Sequence, residues 1–574
     1  EKRHLAKVIF LETFFSAVVA IGGGLVAGIA FSKLMCMLLY AMIGYHAEIV
    51  FYVSESGVVS TILLFSGIFM LTFIYNLFQI QLAKPVELLH GSSQGEREPK
   101  TKKLMAIVGI VTLAAGYYMA ITVDNPVTAV LLFFVAVILV IIGTYFIFMA
   151  GSIAVLKFLR KRKSYYYKKK HFVAVSGLIY RMKQNAAGLA SICILSTMVL
   201  VVISSTVSMY AGLDDELAAR YQGDIGVSII SENPITEGDT LRELVNRTIQ
   251  QENRSIKEEQ GMMTLTFSCI SEDGNLVIRK HDDEGDYSSD IIMLRMITRE
   301  DYEEAYNVRV PELSDHEVVL VTSDGYDKDT ITVGDYTYPI LQKQHFSSEN
   351  GHWMDNQVYY MVVNSVEDMA PLYEAQKEIY GKNASSYYYS LYIDIDGNKE
   401  EKIACGNAVS AAIGASGMEE GHDGKYYIMI ENRAENEDSF RQMYGGFLFL
   451  GIFLGILFLM ITVLIIFYKQ ISEGYEDKER FAIMEKVGMS NEEVKKTISA
   501  QIRMVFLLPI VTAALHVLAA FPMIRMILAV MNLNNGRLFA YCLLGTIAVF
   551  TVIYLLVYKM TSRTYYRIVG HQIG

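Results

Sequence analysis

Apolar residues gather into eight runs of roughly twenty, near 8–31, 57–80, 104–122, 127–150, 187–211, 445–468, 504–525 and 538–558. Each is long enough to cross about 30 Å of hydrocarbon as a helix. Between the fifth and sixth runs the pattern changes. HEVVLVTSDGYD (316–327), DTITVGDYTYPILQ (329–342) and NQVYYMVVN (356–364) are rich in Val, Ile and Tyr and bounded by Gly, Asp and Asn, which predicts strands. ITEGDTLRELVNRTIQQE (235–252) instead has helical periodicity. The chain therefore reads as an α-helical polytopic membrane protein with a large α/β domain inserted between its fifth and sixth visible spans.

Charge orients these spans. The chain has 574 residues, 52% of them hydrophobic, and a net charge of −11 that hides two opposite parts. Residues 212–440 hold 46 acidic and 18 basic side chains, a balance of −28, and the remainder 15 and 32, a balance of +17. KFLRKRKSYYYKKK (157–170) has eight basic residues in fourteen and no acid, which places it in the cytoplasm. Alternation then puts 41–56 and 121–127, which lack Lys and Arg, outside, along with the acidic insert; 81–103, 469–503 and 559–574 fall inside. In a soluble protein the tyrosines of 157–170 among so many cations would suit nucleic acid. Beside a span, Lys and Arg meet anionic lipid headgroups and Tyr prefers the interface, so membrane lipid is the expected partner and nucleic acid is not. The alternative is a docking patch for a kinase or an ATPase.

Glu1 falls on the cytoplasmic side with neither an initiator Met nor a leader-like segment, so the numbering is expected to begin inside a longer polypeptide. A weak internal repeat agrees: KVIFLETFFSAVVAIGGGLVAG from Lys7 aligns with KTISAQIRMVFLLPIVTAALHV from Lys496. At that offset the counterpart of 480–489 would precede residue 1.

The connector KERFAIMEKVGMSNEEVKKT (478–497) is punctuated. Phe481, Ile483, Met484 and Val487 recur at helical spacing, with Glu479, Arg480, Glu485 and Lys486 on other faces. Gly488 suits a C-terminal cap, and Ser490 with Glu493 forms a capping box that starts a new helix. The expectation is a short amphipathic helix, a break, and a second helix. Such a helix either lies at the membrane surface or is a coupling helix seated in a cleft of a motor subunit. In the second case Phe481, Ile483, Met484 and Val487 form the apolar seat, Glu479 and Arg480 its rim, and Gly488 the hinge.

IFYKQISEGYEDKERFAIMEKVGMSNEEVKKTISAQI (466–502) resembles the second permease repeat of FtsX-type ABC transporter membrane subunits, in the BceB-like (bacitracin-export) branch. KPVELLHGSSQGEREPK (84–100) and GLIYRMKQNAAGLASICILSTMVLVVISST (177–206) extend the resemblance. It implies a ten-span protein of which this chain lacks the first two spans and first connector. Its implied parts are an incomplete first permease repeat (1–97), a central helix pair (98–156), a basic cytoplasmic interfacial segment (157–186), the helix leading to the insert (187–211), the extracellular domain (212–441) and a second repeat with its coupling helix near 479–488 (442–574). It also implies a non-catalytic subunit in the bacterial cell membrane that binds no cofactor, with ATP and Mg on separate cytoplasmic ABC ATPase subunits, two per complex. The implied task is mechanotransmission (type VII) that confers resistance to peptide antibiotics capturing lipid-linked cell-wall precursors, read by a sensor histidine kinase. Other readings are an FtsX/MacB-class transmitter acting on lipoproteins or cell-wall hydrolases, a receptor without a motor, and a membrane enzyme.

Motifs for chemistry are missing. The sequence contains no G-x-x-x-x-G-K-[ST] phosphate loop and no H-E-x-x-H. His281–Asp286 and Asp394–Asn398 lack the twelve-residue ligand spacing of a Ca²⁺ loop and read as solvated acidic turns, so no metal site is expected. Cys269 and Cys405 could pair in an oxidising exterior, while Cys36, Cys193 and Cys542 read as packing residues. His516 and Glu12 are ionisable groups in or beside spans, read as structural: His516 hydrogen-bonded to a neighbouring helix, Glu12 hydrated at the cytoplasmic edge. Gly24 and Gly28 form a G-x-x-x-G face that would admit a second helix. Trp353, the only tryptophan, belongs either to the insert's core or to a recognition surface. The insert's negative charge would draw cationic peptides, although exterior domains are commonly acidic.

Overall fold

The computed structural model describes residues 2–44, 52–82, 102–123, 125–162, 166, 169–231, 234–272, 274–279, 291–314, 316–322, 325–345, 358–417, 427–486, 491–531 and 533–570. Among them, eight helices are long and apolar enough to cross a membrane, and they coincide with the eight apolar runs. α1 (Lys2–Ile43) and α2 (Glu55–Leu82) form a pair whose most apolar stretches have no residue buried within the chain. α3 (Lys103–Thr122) and α4 (Pro126–Phe146) form a tight hairpin. Its turn is set locally: Asn125 Oδ1 accepts the N–H groups of Val127 (2.9 Å) and Thr128 (3.3 Å), and Pro126 stands in the first helical turn. Glycine lets the two backbones meet, since a Cβ on Gly143 would lie 2.9 Å from the Leu113 nitrogen and one on Gly116 3.2 Å from the Ala136 carbonyl. A π-helical turn, Ile147–Gly151, leads into α5 (Ser152–Lys161), and α6 (Lys169–Ala211) follows.

Beyond the short helix α7 (Leu213–Arg220) the insert runs β1 (Ile225–Ser231), α8 (Pro234–Gln251), β2 (Ile256–Glu272), β3 (Asn275–Val277), β4 (Ile291–Thr298), α9 (Arg299–Tyr306), β5 (Val318–Thr322), β6 (Thr330–Val333), β7 (Tyr336–His345), β8 (Val358–Val363), α10 (Ala370–Tyr380), β9 (Tyr387–Ile395), α11 (Lys399–Ser416) and β10 (Tyr427–Asn432). The strands expected at 316–327, 329–342 and 356–364 are β5, β6 with β7, and β8; the helix expected at 235–252 is α8. The sheet order is β10-β1-β9-β2-β3-β6-β7-β5-β8-β4, and β4 returns to β2. β2 is the pivot. Its residues up to Leu265 pair with β9, and those from Thr264 pair with β4.

Two units result. The antiparallel strands β10-β1-β9-β2 with α8 and α11 make the split β-α-β arrangement of ferredoxin-like domains. The second half of β2 with β3, β6, β7, β5, β8 and β4 closes into a ring in which each strand is hydrogen-bonded to two neighbours. Val227 and Ile229 of β1, Leu241 and Val245 of α8, and Val409 and Ile413 of α11 share one core with the ring's Leu294, Leu320 and Met361. Cys269 of β2 and Cys405 of α11 are buried in that core as free thiols, so the pairing considered from sequence is not formed. Burial pushes the Cys269 thiol up to about 12 and raises that of Cys405 as well, which leaves both unreactive.

β10 passes without a linker into α12 (Arg433–Lys486), 54 residues of continuous helix and hence about 80 Å long at 1.5 Å per residue. α13 (Asn491–Val530) and α14 (Gly536–Gly570) complete the chain. α6, α12, α13 and α14 share a core that includes Leu189, Ile192, Ile466, Phe506, Ala513 and Tyr554. On α12, a Cβ on Gly451 would strike the Thr206 side chain of α6, and one on Gly455 would come within 2.6 Å of Ile203 Cδ1. The α3–α4 hairpin lies against α13, where Met523 is buried with Ala120, Ala129 and Ala136.

Candidate functional site

Glu479, Arg480, Phe481, Ile483 and Met484 occupy the last turns of α12, while Val487 and Gly488 lie outside the described residues. The separate short helix expected here is instead the tip of the 54-residue helix. The physical reason lies just upstream. No proline interrupts 460–486, and the one glycine of the stretch, Gly474, is covered by Tyr565 and Ile568 of α14, where an added Cβ would stand 3.4 Å from both. A displacement of the tip is therefore a displacement of a helix that begins at the sheet of the insert.

Immediately above the tip, polar side chains of three helices converge. Asn185 of α6 donates from Nδ2 to Glu473 Oε1, and the Tyr565 hydroxyl of α14 donates to Asp477 Oδ2 at 2.6 Å. Glu473 and Asp477 are only 5% and 4% exposed, a burial that carboxylates tolerate only when hydrogen-bonded. None of these four residues stands out in the sequence. The available signal was the spacing of Gln470, Glu473 and Asp477, which places all three on one helical face.

A second polar knot lies within the membrane portion. The Thr144 hydroxyl gives its one proton to the Val140 carbonyl (2.6 Å), so its oxygen accepts from His516 Nε2–H (2.9 Å) and leaves Nδ1 to accept the Tyr117 hydroxyl (2.6 Å). Both ring nitrogens are satisfied by a neutral imidazole that ties α13 to α3 and α4. Glu12 is exposed beside a groove of about 600 Å³ between α1 and α2, lined also by Thr13, Ser16, Asn76 and Gln79. At Gly24 and Gly28 an added Cβ would meet nothing within 4 Å, so among the described residues no helix makes the close approach expected there; Gly451 and Gly455 are the G-x-x-x-G pair that α6 covers.

At the opposite end of α12, the sheet and the helix are welded. Asn432, the last residue of β10, caps α12 by accepting the N–H groups of Ala434 (3.0 Å) and Glu435 (3.4 Å), and it donates to the Lys402 carbonyl (3.1 Å). Asp224 pairs with Lys402 Nζ at 2.6 Å and accepts the Ile395 N–H, while its own N–H donates to Asp394 and its carbonyl accepts from Arg433. Asp394 thus serves as a brace. Asp396 accepts the Ser255 N–H (2.7 Å), which holds its carboxyl below the usual range, and Asn398 forms a capping box with Glu401. Among the described residues no group of three His, Cys, Asp or Glu could hold a metal ion; residues 281–286 and Trp353 lie outside them.

Eight spans, with an inserted domain at one end of a continuous helix and a basic-flanked connector at the other, define a multi-pass membrane protein. No family model matches the chain. The chain is 24% identical to the ABC transporter permease protein YxdM of Bacillus subtilis (strain 168), over 95% of its own length and 83% of that protein's. It is 22% identical to the bacitracin export permease protein BceB of the same organism, over 90% of its length and 77% of the relative's. With the BceB of Halalkalibacterium halodurans it shares 21% over 90% and 78%. The chain is a permease subunit, with ATP hydrolysis left to a separate subunit, and it is similar to ABC transporter permeases that include the bacitracin export type.

Proposed function

We propose that this subunit transmits the nucleotide cycle of a cytoplasmic ATPase pair to the inserted domain on the outer face, and so frees lipid-linked cell-wall precursors from peptide antibiotics. The observation that carries this reading is α12: one helix joins the last strand of the insert to the connector without a break. Phe481, Ile483, Met484 and Val487 form the seat for the ATPase, Glu479 and Arg480 its rim, and Gly488 the hinge. ATP and Mg are bound by the partner. Two relatives are export permeases for bacitracin, which supports a peptide of that class as the stimulus, and a sensor histidine kinase reads the transporter's state.

The test is copurification with the ATPase encoded beside the gene, with ATP hydrolysis scored with and without bacitracin. Wild type is expected to copurify and to change its hydrolysis rate with peptide, and Phe481→Asp to lose the ATPase while its spans stay folded. Full copurification of Phe481→Asp would refute the seat, and a stable wild-type complex indifferent to peptides would refute the resistance reading.

A further inference from the structure

We propose that Glu473 and Asp477, held by Asn185 and Tyr565, form a polar lock with two arrangements, and that switching between them passes movement of the connector into the helix core. The inference rests on the transmission reading above and goes beyond it by naming the joint. Three facts carry it. The lock lies within two to four turns of the α12 tip and joins that helix to α6 on one side and α14 on the other. Its bonds are made by single polar atoms across helix interfaces, so a slide or rotation of α12 exchanges them without unfolding any helix.

The third fact concerns what this arrangement leaves unused. Among the described residues, Gln470, 1% exposed and on the face that bears Glu473 and Asp477, finds no hydrogen-bond partner for either amide atom. Ser562, 7% exposed and one turn before Tyr565 on α14, likewise finds no partner for its hydroxyl among the described residues. Buried polar groups are nearly always satisfied. Two orphans on the very helices that the lock joins mark an arrangement other than the one in which all the polar groups are paired. In the second arrangement α12 shifts against α14, Gln470 and Ser562 gain partners, and the Asn185 and Tyr565 bonds are given up or exchanged.

Glu473, Asp477, Asn185 and Tyr565 are positioning residues, and the test separates them from merely structural ones. The full chain with its ATPase in nanodiscs is assayed for copurification, melting temperature and the bacitracin-dependent change in ATP hydrolysis. Tyr565→Phe and Glu473→Leu are expected to keep the ATPase and to lose at least about fivefold of the peptide-dependent change, the lower end of a typical coupling. Glu473→Gln, which keeps a carbonyl for Asn185, is expected to retain it. Gln470→Leu removes the orphan, so it is expected to melt higher than wild type and yet respond less. Wild-type responses from Tyr565→Phe and Gln470→Leu would overturn the lock. Should the wild-type complex itself fail to form or respond, the transmission reading falls, and the melting temperatures still decide the two-arrangement claim: Gln470→Leu melting at or below wild type overturns it.

Discussion

Gly406→Ala tests the weld between the inserted domain and α12. Gly406 lies in α11 beneath the end of β10, and a Cβ there would run into the Asn432 amide nitrogen and stand 2.9 Å from Asn432 Cγ. Asn432 is only 6% exposed and is committed to capping α12 and to the Lys402 carbonyl. If it swings away, the cap costs about 1 kcal/mol and the lost hydrogen bond about 1 kcal/mol more. If it stays, the crowding costs about 1–3 kcal/mol. Alanine's better helix propensity returns about 1 kcal/mol on either route, so both routes centre on a net destabilisation of about 1 kcal/mol. For a unit of this size that lowers the melting temperature by about 2–4 °C. Thermal unfolding of the full chain, followed by the circular dichroism of its β-sheet, reads the domain, since every described strand lies in the insert. Gly446→Ala, where an added Cβ meets nothing within 4 Å, is the control and is expected to be neutral or slightly stabilising. A Gly406→Ala protein as stable as wild type, or more so, would refute the reasoning.

Two further outcomes follow from the same geometry. In a double-mutant cycle, His516→Leu and Tyr117→Phe are expected to couple by about 0.6 kcal/mol, the usual size of an interhelical hydrogen bond in a membrane protein; strict additivity would deny the bond. Asp301 is half-buried at the start of α9, where it accepts the Met263 N–H (2.8 Å), and this partial burial raises its carboxyl above the ordinary value. Its favourable contribution is therefore present below the ordinary carboxylate pKa and lost as pH rises through the raised one. Asp301→Asn keeps a carbonyl for Met263, so its melting advantage over wild type is expected to grow from pH 4 to pH 7; a constant or shrinking difference would contradict the assignment.

What could be read from the sequence was what is local. The eight spans and the strands β5 to β8 of the insert follow from runs and periodicities of neighbouring residues, and His516 stands out because an ionisable group interrupts an apolar run. The double duty of β2 and the closing of the ring depend on pairings between distant segments, such as Thr264 with Ile297, and leave no local trace. Glu473 and Asp477 draw no notice in the sequence for a related reason. In a charged connector they look solvated, and only α6 and α14 bury them. Gly24–Gly28 and Gly451–Gly455 carry the same motif, yet only the second pair is met by a helix within the described chain: the motif states that a helix can be approached, and the rest of the fold decides whether it is.

The central claim is that α12 carries movement rigidly between its two ends. The most direct measurement is insertion of four glycines between Asn432 and Arg433, which cuts the weld while leaving the connector and the spans intact, with bacitracin-dependent ATP hydrolysis of the reconstituted complex as the readout. The account expects unchanged copurification and basal hydrolysis together with loss of the peptide response. A full peptide response across the flexible insertion would contradict it.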